Sequence, residues 1–408
     1  MRQRKNSINK QTRLTHFFSK GIEIMKNIDR ANRFNTGRYR TVRHRFQLFI
    51  ISALVISVLT VFSLTGCGDS GAADYDPLEG VNTITFRDDC GREVEIPETI
   101  TKCAPSGSVA QMIIMTIAPE TMVGLSATPS SNQLDYFPEY TWELPTFGQF
   151  YGSKANLNME ALIAAQPQVI IDIGDKKATH KEDMDKIQKQ TGIPTIFIET
   201  TLDKMPKAYR TLGKLFGKEE KGEELAAYIE NTVATAASNA AKIPDSDRKT
   251  VYYGTGASGL DCNADGSIQA DVIDIIGAKN AVVGTDVSDK GGGTQINMEQ
   301  LYNFDPDVIV VTLDGIYSII KDGDKSWSEL TAVKNGDYYE IPGIPYCWLS
   351  GPPSVNRVLG IWWLGNLVYP DVYDYDMADK AIEYYKLFFD YDLSREDAKA
   401  MLQNSSYK

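Results

Sequence analysis

Two glutamates, Glu160 and Glu299, occupy matching places in a segment that the chain repeats. The sequence Asn-Met-Glu-x-Leu occurs at residues 158–162 and again 139 positions later, and in both copies Pro and then Val-Ile follow at the same spacing. The repeat predicts two similar lobes, each with a short helix, a turn and a buried strand. A carboxylate at a helix start can cap that helix. Its recurrence favours a role that needs one acidic group on each lobe.

A glycine pattern typical of dinucleotide sites lies in the second half of the chain. Residues 254–259 fit G-x-G-x-x-G and follow a predicted strand. The fingerprint requires the third glycine to open a helix, whose N-terminus holds the phosphates. Residues 260–267 read as a loop, so we expect no nucleotide site. A membrane-anchored, nucleotide-using α/β enzyme is nevertheless the alternative from another functional class.

Histidine is scarce in this chain. Of the three histidines, His16 and His44 precede Cys67, which leaves His180 at the start of a charged helix, where we expect it to be solvated. A bare Zn²⁺ or Mn²⁺ site built from several histidines is therefore not available. A bound metal should come as a chelate, and haem held by histidine is disfavoured, whereas ligation by tyrosine stays open.

Four cysteines remain if Cys67 is lipidated. They are Cys90, Cys103, Cys262 and Cys347. Four cysteines allow three disulfide pairings, among which sequence does not choose. A bridge within each half of the chain and four free thiols both stay open.

The N-terminal region reads as a targeting segment. Residues 46–66 form an uncharged, mostly apolar run of 21 residues that ends at Leu64-Thr65-Gly66-Cys67. This pattern resembles a bacterial lipoprotein signal, and it predicts a signal peptide at 1–66 and a lipidated Cys67 with a flexible tether at 67–81. A plain transmembrane anchor is the alternative, since about 20 apolar residues span a bilayer. Both interpretations place the remaining chain outside the cell, whether translation starts at Met1 or at Met25.

The charge of the chain is strongly asymmetric. From Cys67 onward the sequence has 29 basic and 52 acidic residues, a net charge of −23. Such an acidic body argues against nucleic acid or an anionic membrane surface as a partner. The length of 408 residues is enough for roughly two ordinary domains.

Predicted strands and helices alternate on either side of one helical stretch. The alternation indicates an α/β lobe at residues 82–202 and another at 249–408, with strands that include Met122–Leu125 and Ala281–Val283. Residues 203–248 read as helical, and a helix over Glu219–Lys242 would be about 36 Å long at 1.5 Å per residue. We therefore predict two Rossmann-like α/β lobes with mainly parallel sheets, joined by one long helix. Because a helix is stiff, we expect modest lobe closure.

The order of features carries a family resemblance. It comprises the tether after Cys67, a serine-bearing first turn, the two Asn-Met-Glu helices, the long helix and a late segment with Trp348 and Arg357. This order resembles the single-helix-linked solute-binding lipoproteins of ABC importers for iron–siderophore, haem, cobalamin and related metal complexes. The resemblance covers residue 82 to the C-terminus.

The resemblance implies a ligand cleft between the lobes. It also implies an ABC permease with its ATPase as partners, a monomeric protein, and neither enzymatic activity nor an intrinsic cofactor. A ferric siderophore is the expected cargo. An oxyanion such as molybdate or tungstate, haem and cobalamin are the alternatives for the same fold.

The resemblance also assigns roles to residues. Glu160 and Glu299 would pair with arginines of the permease, and ligand contacts would come from loops at the carboxyl ends of strands. The predicted ligand residues are Ser106, Gly107, Tyr151, Lys154, Tyr253, Thr255, Trp348 and Arg357. Aromatic rings would lie against an organic chelate, while the Lys and Arg would pair with its carboxylate or oxyanion charge. Packing between elements for Trp348 and a salt bridge for Arg357 are the alternatives.

Overall fold

The computed structural model describes residues 75–152, 154–284 and 293–406. The predicted signal peptide at 1–66, the lipidation of Cys67 and the first part of the tether lie outside these residues. The described residues belong to one compact unit. None of their helices is long and apolar enough to cross a membrane.

A three-stranded parallel sheet organises the first lobe. The strands of a preceding hairpin are Thr83–Arg87 (β1) and Glu93–Pro97 (β2), and those of the sheet are Cys103–Pro105 (β3), Val169–Gly174 (β4) and Thr195–Glu199 (β5). The order β3-β4-β5 puts β4 in the centre. The helices of this lobe are Ser108–Ile117 (α1), Ser131–Leu134 (α2), Met159–Ala165 (α3) and His180–Thr191 (α4).

Two consecutive helices connect the two sheets. They are Met205–Phe216 (α5) and Glu219–Ala240 (α6), and the 22 residues of α6 extend about 33 Å at 1.5 Å per residue. The two helices approach closely at Gly222. A Cβ added there would lie 2.6 Å from the carbonyl oxygen of Tyr209, so the contact requires glycine. Further along, α6 packs on helices of the second lobe. The predicted linking helix is therefore present and ends two residues earlier than expected.

A six-stranded mixed sheet organises the second lobe. Its strands are Thr250–Thr255 (β6), Asp261–Cys262 (β7), Lys279–Asn280 (β8), Thr294–Gln295 (β9), Val308–Val311 (β10) and Tyr338–Glu340 (β11). The order is β11-β10-β6-β7-β9, with β8 paired to β6. Strands β11, β10, β6 and β8 are parallel, whereas β7 is antiparallel to both of its neighbours.

Helices cover both faces of this second sheet and close the chain. They are Asp271–Ile275 (α7), Met298–Phe304 (α8), Ile316–Lys321 (α9), Thr331–Asn335 (α10), Asn356–Val368 (α11), Met377–Phe389 (α12) and Arg395–Met401 (α13). The fold is thus two α/β lobes with mainly parallel sheets, as predicted. The strands fall inside the predicted lobes at 82–202 and 249–408, and we keep those boundaries as a proposal.

Alternating side chains bury both faces of each sheet. Tyr252 and Tyr253 are neighbours on β6 but belong to different hydrophobic clusters, as the two-residue period of a strand requires. Ile170 and Ile171 on β4 divide in the same way. The cluster that contains Ile171 and Tyr253 runs from one lobe to the other. We call this cluster the shared core.

Aromatic rings add to the shared core where α12 meets the first lobe. The ring of Tyr136 lies 5.4 Å from that of Tyr385, and Phe137 lies 6.1 Å from Phe389. Helix α12 also packs on α1. The C-terminal helices therefore join the two lobes at a second place besides α6.

The two copies of the repeat fold in the same way. Asn158 and Asn297 each cap a seven-residue helix, and their side chains accept the backbone N–H of Ala161 at 3.1 Å and of Gln300 at 2.9 Å. Each helix ends in a residue with a left-handed backbone and leads through a proline into β4 or β10. The prediction of a repeated helix–turn–strand unit is confirmed.

Two predicted strands are wrong in detail. Residues 122–125 form only isolated bridges, from Met122 to Cys103 and from Leu125 to Thr146, because the chain leaves the sheet after a single pairing. The predicted strand Ala281–Val283 starts two residues too late. The strand that pairs with β6 is β8, Lys279–Asn280.

Candidate functional site

A cavity of about 590 Å³ lies between the two lobes. Its floor comes from the carboxyl ends of β6, β10 and β11, which contribute Thr255, Thr312 and Ile341. Its other wall comes from the first lobe, through Ser130, Asn132 and Gln133 around α2. The volume is within the range of roughly 300–1,000 Å³ that is typical of small-molecule sites.

Gln133 ties the two walls of the cavity together. Its Nε2 donates a hydrogen bond to the carbonyl oxygen of Pro345 at 2.7 Å, and its Oε1 accepts the N–H of Ser130 at 2.8 Å. The glutamine therefore holds the start of α2 against the loop that follows β11. A ligand in the cavity would contact both lobes at this point.

Tyr253 and Cys347 lie side by side in the cavity lining. The hydroxyl oxygen of Tyr253 lies 3.9 Å from the Cys347 sulfur, and Tyr253 is 3% exposed. Burial raises the pKa of both groups, and the nearby Asp314 carboxylate raises each further. Both side chains are therefore neutral hydrogen-bonding groups near neutral pH. Cys347 is unpaired, as are Cys90, Cys103 and Cys262.

Two carboxylates supply the charge of the cavity lining. Asp314 accepts hydrogen bonds from the Gly256 N–H at 3.2 Å and the Thr312 hydroxyl at 2.5 Å. Asp261 lies against the same turn, since a Cβ on Gly256 would be 2.6 Å from its Oδ2, and Gly256 has a φ of +73°. The turn therefore requires glycine, and it sets both carboxylates at the cavity.

Predicted ligand residues of the first lobe belong to a different cluster. Ser106 donates to one carboxylate oxygen of Asp172, and the Tyr151 hydroxyl lies 2.7 Å from the other. Tyr151 also lies 2.9 Å from His180 Nε2. None of these four residues lines the cavity. We call Ser106, Tyr151, Asp172 and His180 the polar cluster.

The expectation that His180 is solvated is wrong. The side chain is 3% exposed and stacks on Phe197 with ring centroids 4.6 Å apart. Its Nδ1 accepts the backbone N–H of Lys177 at 2.8 Å, so the Nε2 carries the proton and donates to Tyr151. The imidazole is a buried structural group.

The polar cluster lacks the geometry of nucleophilic catalysis. Ser106 hydrogen-bonds to Asp172 and not to His180, so the cluster lacks the serine–histidine contact of a Ser-His-Asp triad. Burial raises the pKa of Asp172, against the hydrogen bonds from Ser106 and Tyr151 that lower it. The cluster therefore holds a buried carboxyl in place with O–H donors.

Replacing Tyr151 by phenylalanine is expected to destabilise the fold by about 1–3 kcal/mol, because Asp172 loses a donor and His180 loses an acceptor inside the protein. Urea unfolding of Tyr151→Phe measures this cost. Tyr140→Phe is the matched control, since Tyr140 is 55% exposed. If Tyr151→Phe keeps full stability but weakens ligand binding, Tyr151 contacts the ligand and the structural role is wrong.

The other predicted ligand residues lie in different surroundings. Gly107 starts α1 and is half-buried, and Lys154 is exposed outside the cavity lining. Trp348 is 2% exposed within the shared core and donates its indole N–H to the Tyr385 hydroxyl at 3.4 Å. Only Tyr253 and Thr255 of the eight predicted residues line the cavity.

Arg357 is fully buried and forms a salt bridge, which was the alternative to the predicted ligand contact. Its guanidinium pairs with Asp271 on α7 and donates to the carbonyl oxygen of Ile268 at 3.1 Å. Burial raises the pKa of Asp271, and the positive charge of Arg357 opposes part of that rise. The pair fixes α7 against α11, away from the cavity lining.

Glu160 and Glu299 lie in the first turns of α3 and α8, and both are exposed. The helices are capped by Asn158 and Asn297, so the glutamates are not needed as caps. Within the described part of the chain neither carboxylate forms an ion pair. Their role as docking residues stays a prediction.

The glycine-rich loop does not form a dinucleotide site. After Gly259 the chain enters β7 at Asp261, and the next helix, α7, starts only at Asp271. The helix N-terminus that would hold a pyrophosphate is therefore absent from residues 254–270. The loop instead contributes Thr255 and Gly256 to the cavity.

Sequence reasoning missed the carboxylates and the first-lobe wall of the cavity. Asp314 comes three residues after β10, so the rule that ligands meet strands at their carboxyl ends was sufficient to find it. Asp261 and Gln133 reach the cavity through an antiparallel turn and a contact between lobes. No local pattern marks either residue.

Comparisons with known proteins agree with this architecture. The family model described as periplasmic binding protein matches residues 104–345, more than half of the chain. The uncharacterized ABC transporter substrate-binding lipoprotein YvrC of Bacillus subtilis (strain 168) is 23% identical over 328 residues, which cover 76% of this chain and 94% of that protein.

Two further matches extend the comparison. The Fe(3+)-citrate-binding protein YfmC of the same Bacillus subtilis strain is 23% identical over 195 residues, which cover 46% of this chain and 58% of that protein. The structure of an ABC transporter solute binding protein from Sulfurospirillum deleyianum is 28% identical with a TM-score of 0.71, and the match covers 78% of this chain and 99% of that one.

Proposed function

Because this chain belongs to the periplasmic binding protein family, we propose that it captures a metal complex, with a ferric siderophore as the first candidate, and delivers it to an ABC importer. The general role, a solute-binding protein that works with an ABC transporter, follows from the family and from the relatives. The permease and its ATPase carry out transport, and we propose that this chain catalyses no reaction.

The observation that carries the proposal is the cavity between the lobes. Groups from both lobes line it, and Gln133 links its two walls through Pro345. Small-molecule ligands of α/β proteins bind at the carboxyl ends of strands, where Thr255 and Thr312 lie. The size of the cavity suits a compact chelate, and the half-buried ring of Tyr346 offers surface for an organic ligand.

A relative supports iron as the metal. YfmC is named as a Fe(3+)-citrate-binding protein, although its match covers less than half of this chain. A ferric chelate also suits a protein whose cavity lacks histidine among its described lining residues. We propose the ligand class on these grounds and keep haem, cobalamin and oxyanions as outcomes of the test.

We further propose that the protein is held at the outer face of the cell membrane through a lipid on Cys67. The relative YvrC is named as a lipoprotein, and the signal pattern that ends at Cys67 supports the same for this chain. The exposed Glu160 and Glu299 would then pair with basic residues of the permease, one on each lobe.

Isothermal titration of the protein with ferric siderophores, haem, cobalamin, molybdate, NAD and ATP tests the proposal. We expect saturable one-site binding of a metal complex and no binding of either nucleotide. Asn132→Trp puts a large ring into the cavity from its exposed wall and should weaken binding about ten-fold or more, a loss of roughly 1.4 kcal/mol.

The matched control is Asn335→Trp, at an exposed residue of α10 outside the cavity lining. This variant should bind the ligand as the unchanged protein does. Tight binding of NAD or ATP would contradict the proposal and favour an enzyme. Ligand binding that Asn132→Trp leaves unchanged would place the site elsewhere.

A further inference from the structure

Within the described ranges, every charged group that lines the cavity is acidic. Asp261 and Asp314 line it, and no Lys, Arg or His belongs to the lining among the residues that the structure describes. Neither aspartate forms an ion pair within that part of the chain. Among the described residues, no neighbouring side chain neutralises the negative charge of the pair.

The turn at Gly256 brings these two charges together. Asp314 is held by the N–H of Gly256 and the hydroxyl of Thr312, and both donors bind its Oδ2. Asp261 is packed against the same glycine. Since Asp314 is held by hydrogen bonds and Asp261 lies close to the same turn, a charged ligand meets a negative potential at this point of the cavity.

A buried acceptor points to the same ligand chemistry. Asn263 lines the cavity and is 4% exposed, and its Oδ1 receives no hydrogen bond within the structure described here. A buried acceptor that lacks a donor costs free energy, which a ligand N–H or O–H would recover. The backbone oxygen of the same residue is already satisfied by Asn280 at 2.9 Å.

We propose that the cavity selects a metal chelate with net positive charge and exposed N–H donors, and that it discriminates against polyanionic chelates and oxyanions. This inference rests on the proposed function and names the charge class of its ligand. An ammonium group would meet Asp261 and Asp314, and a donor would reach Asn263. A carboxylate-rich chelate such as ferric citrate would instead meet the negative charges of both aspartates.

The test uses one chelate in three charge states. The probes are a ferric linear trihydroxamate with a free terminal amine, its N-acetyl form, which is neutral, and its N-succinyl form, which is anionic. Binding to the full chain in detergent is measured by isothermal titration at low and high salt. We expect affinity to fall from cation to neutral to anion, about ten-fold or more overall, with a smaller spread at high salt.

Paired variants separate the charge from the shape of the cavity. Asp261→Asn together with Asp314→Asn keeps side-chain oxygens as acceptors but removes both charges, so the three affinities should converge. Asp322→Asn is the control, because Asp322 is an exposed aspartate of the same lobe outside the cavity lining. It should preserve the spread.

The outcomes distinguish this inference from the function on which it rests. Equal or tighter binding of the succinyl form by the unchanged protein overturns the charge preference, as would tight binding of ferric citrate or molybdate. Both of those results would leave the proposed solute-binding role intact. Failure of every probe and of haem and cobalamin to bind would overturn both. The three-probe series needs only the unchanged protein, so it decides even if the double variant misfolds.

Discussion

Reversing the charge of Glu160 and Glu299 together is expected to abolish uptake of the ligand by cells while ligand affinity stays unchanged. Both carboxylates are exposed in the first turn of equivalent helices, and neither lines the cavity. Lysine at these positions would put like charge against the basic residues proposed for the permease. Like-charge contacts at an interface cost several kcal/mol, so a double reversal should leave little docking.

Radiolabelled ligand uptake by cells and calorimetry of the purified variant measure the two quantities. Glu182→Lys with Glu396→Lys is the matched control, because these glutamates also lie exposed in the first turns of helices, α4 and α13. The control pair should transport normally. Equal loss of uptake in both pairs would show a general charge effect, and lost affinity in the Glu160 and Glu299 variant would end the docking assignment.

Replacing Arg357 by methionine is expected to destabilise the protein by about 3 kcal/mol, because removal of one partner leaves Asp271 largely buried without its counter-charge. Chemical unfolding in urea measures the loss. Adding Asp271→Asn to this variant removes the stranded charge and should recover part of the stability. Ligand affinity of the folded variant should be unchanged, since Arg357 lies outside the cavity lining.

The cost of Arg357→Met should also depend on pH. Burial raises the pKa of Asp271 in the folded protein, and without the arginine it rises further. A folded state that holds the proton more tightly than the unfolded chain loses stability as pH increases, so the deficit should be smaller at about pH 5 than at about pH 8.

The matched control is Arg395→Met, which removes an exposed arginine that pairs with Asp376 and Asp379. Exposed ion pairs contribute little, so the loss there should be clearly smaller. If Arg357→Met instead loses ligand affinity without losing stability, the prediction that Arg357 contacts the ligand is supported.

Local sequence patterns were sufficient for the lobes and the helix between them. Hydrophobic periodicity and turn residues are properties of short windows, and the Asn158 and Asn297 segments have the same cap, helix length and turn. Strand pairing is not local. Met122 has strand-like neighbours but pairs only with Cys103, so a strand was predicted where only two isolated bridges form.

The candidate site was only partly predictable for the same reason. Tyr253 and Thr255 follow from the carboxyl end of a strand, whereas the opposite wall depends on how the lobes meet. His180 shows the limit most clearly. Its neighbours in sequence are charged, but Tyr151 and Phe197 enclose it in the fold. The charged residues next to His180 in sequence lie on the exposed face of the helix, whereas His180 lies on the face that packs inward.

The shared core and the hydrogen bond from Gln133 to Pro345 bear on how ligand-free and ligand-bound protein compete for the importer. Because side chains pack continuously from one sheet to the other, we expect the distance between Glu160 and Glu299 to change little when a ligand binds. If the two glutamates dock on the permease as proposed, the ligand-free protein would then bind it as readily as the ligand-bound protein. Cells that make this protein in large excess over its ligand should therefore import the ligand more slowly. The ligand-free copies would compete with the ligand-bound copies for the permease.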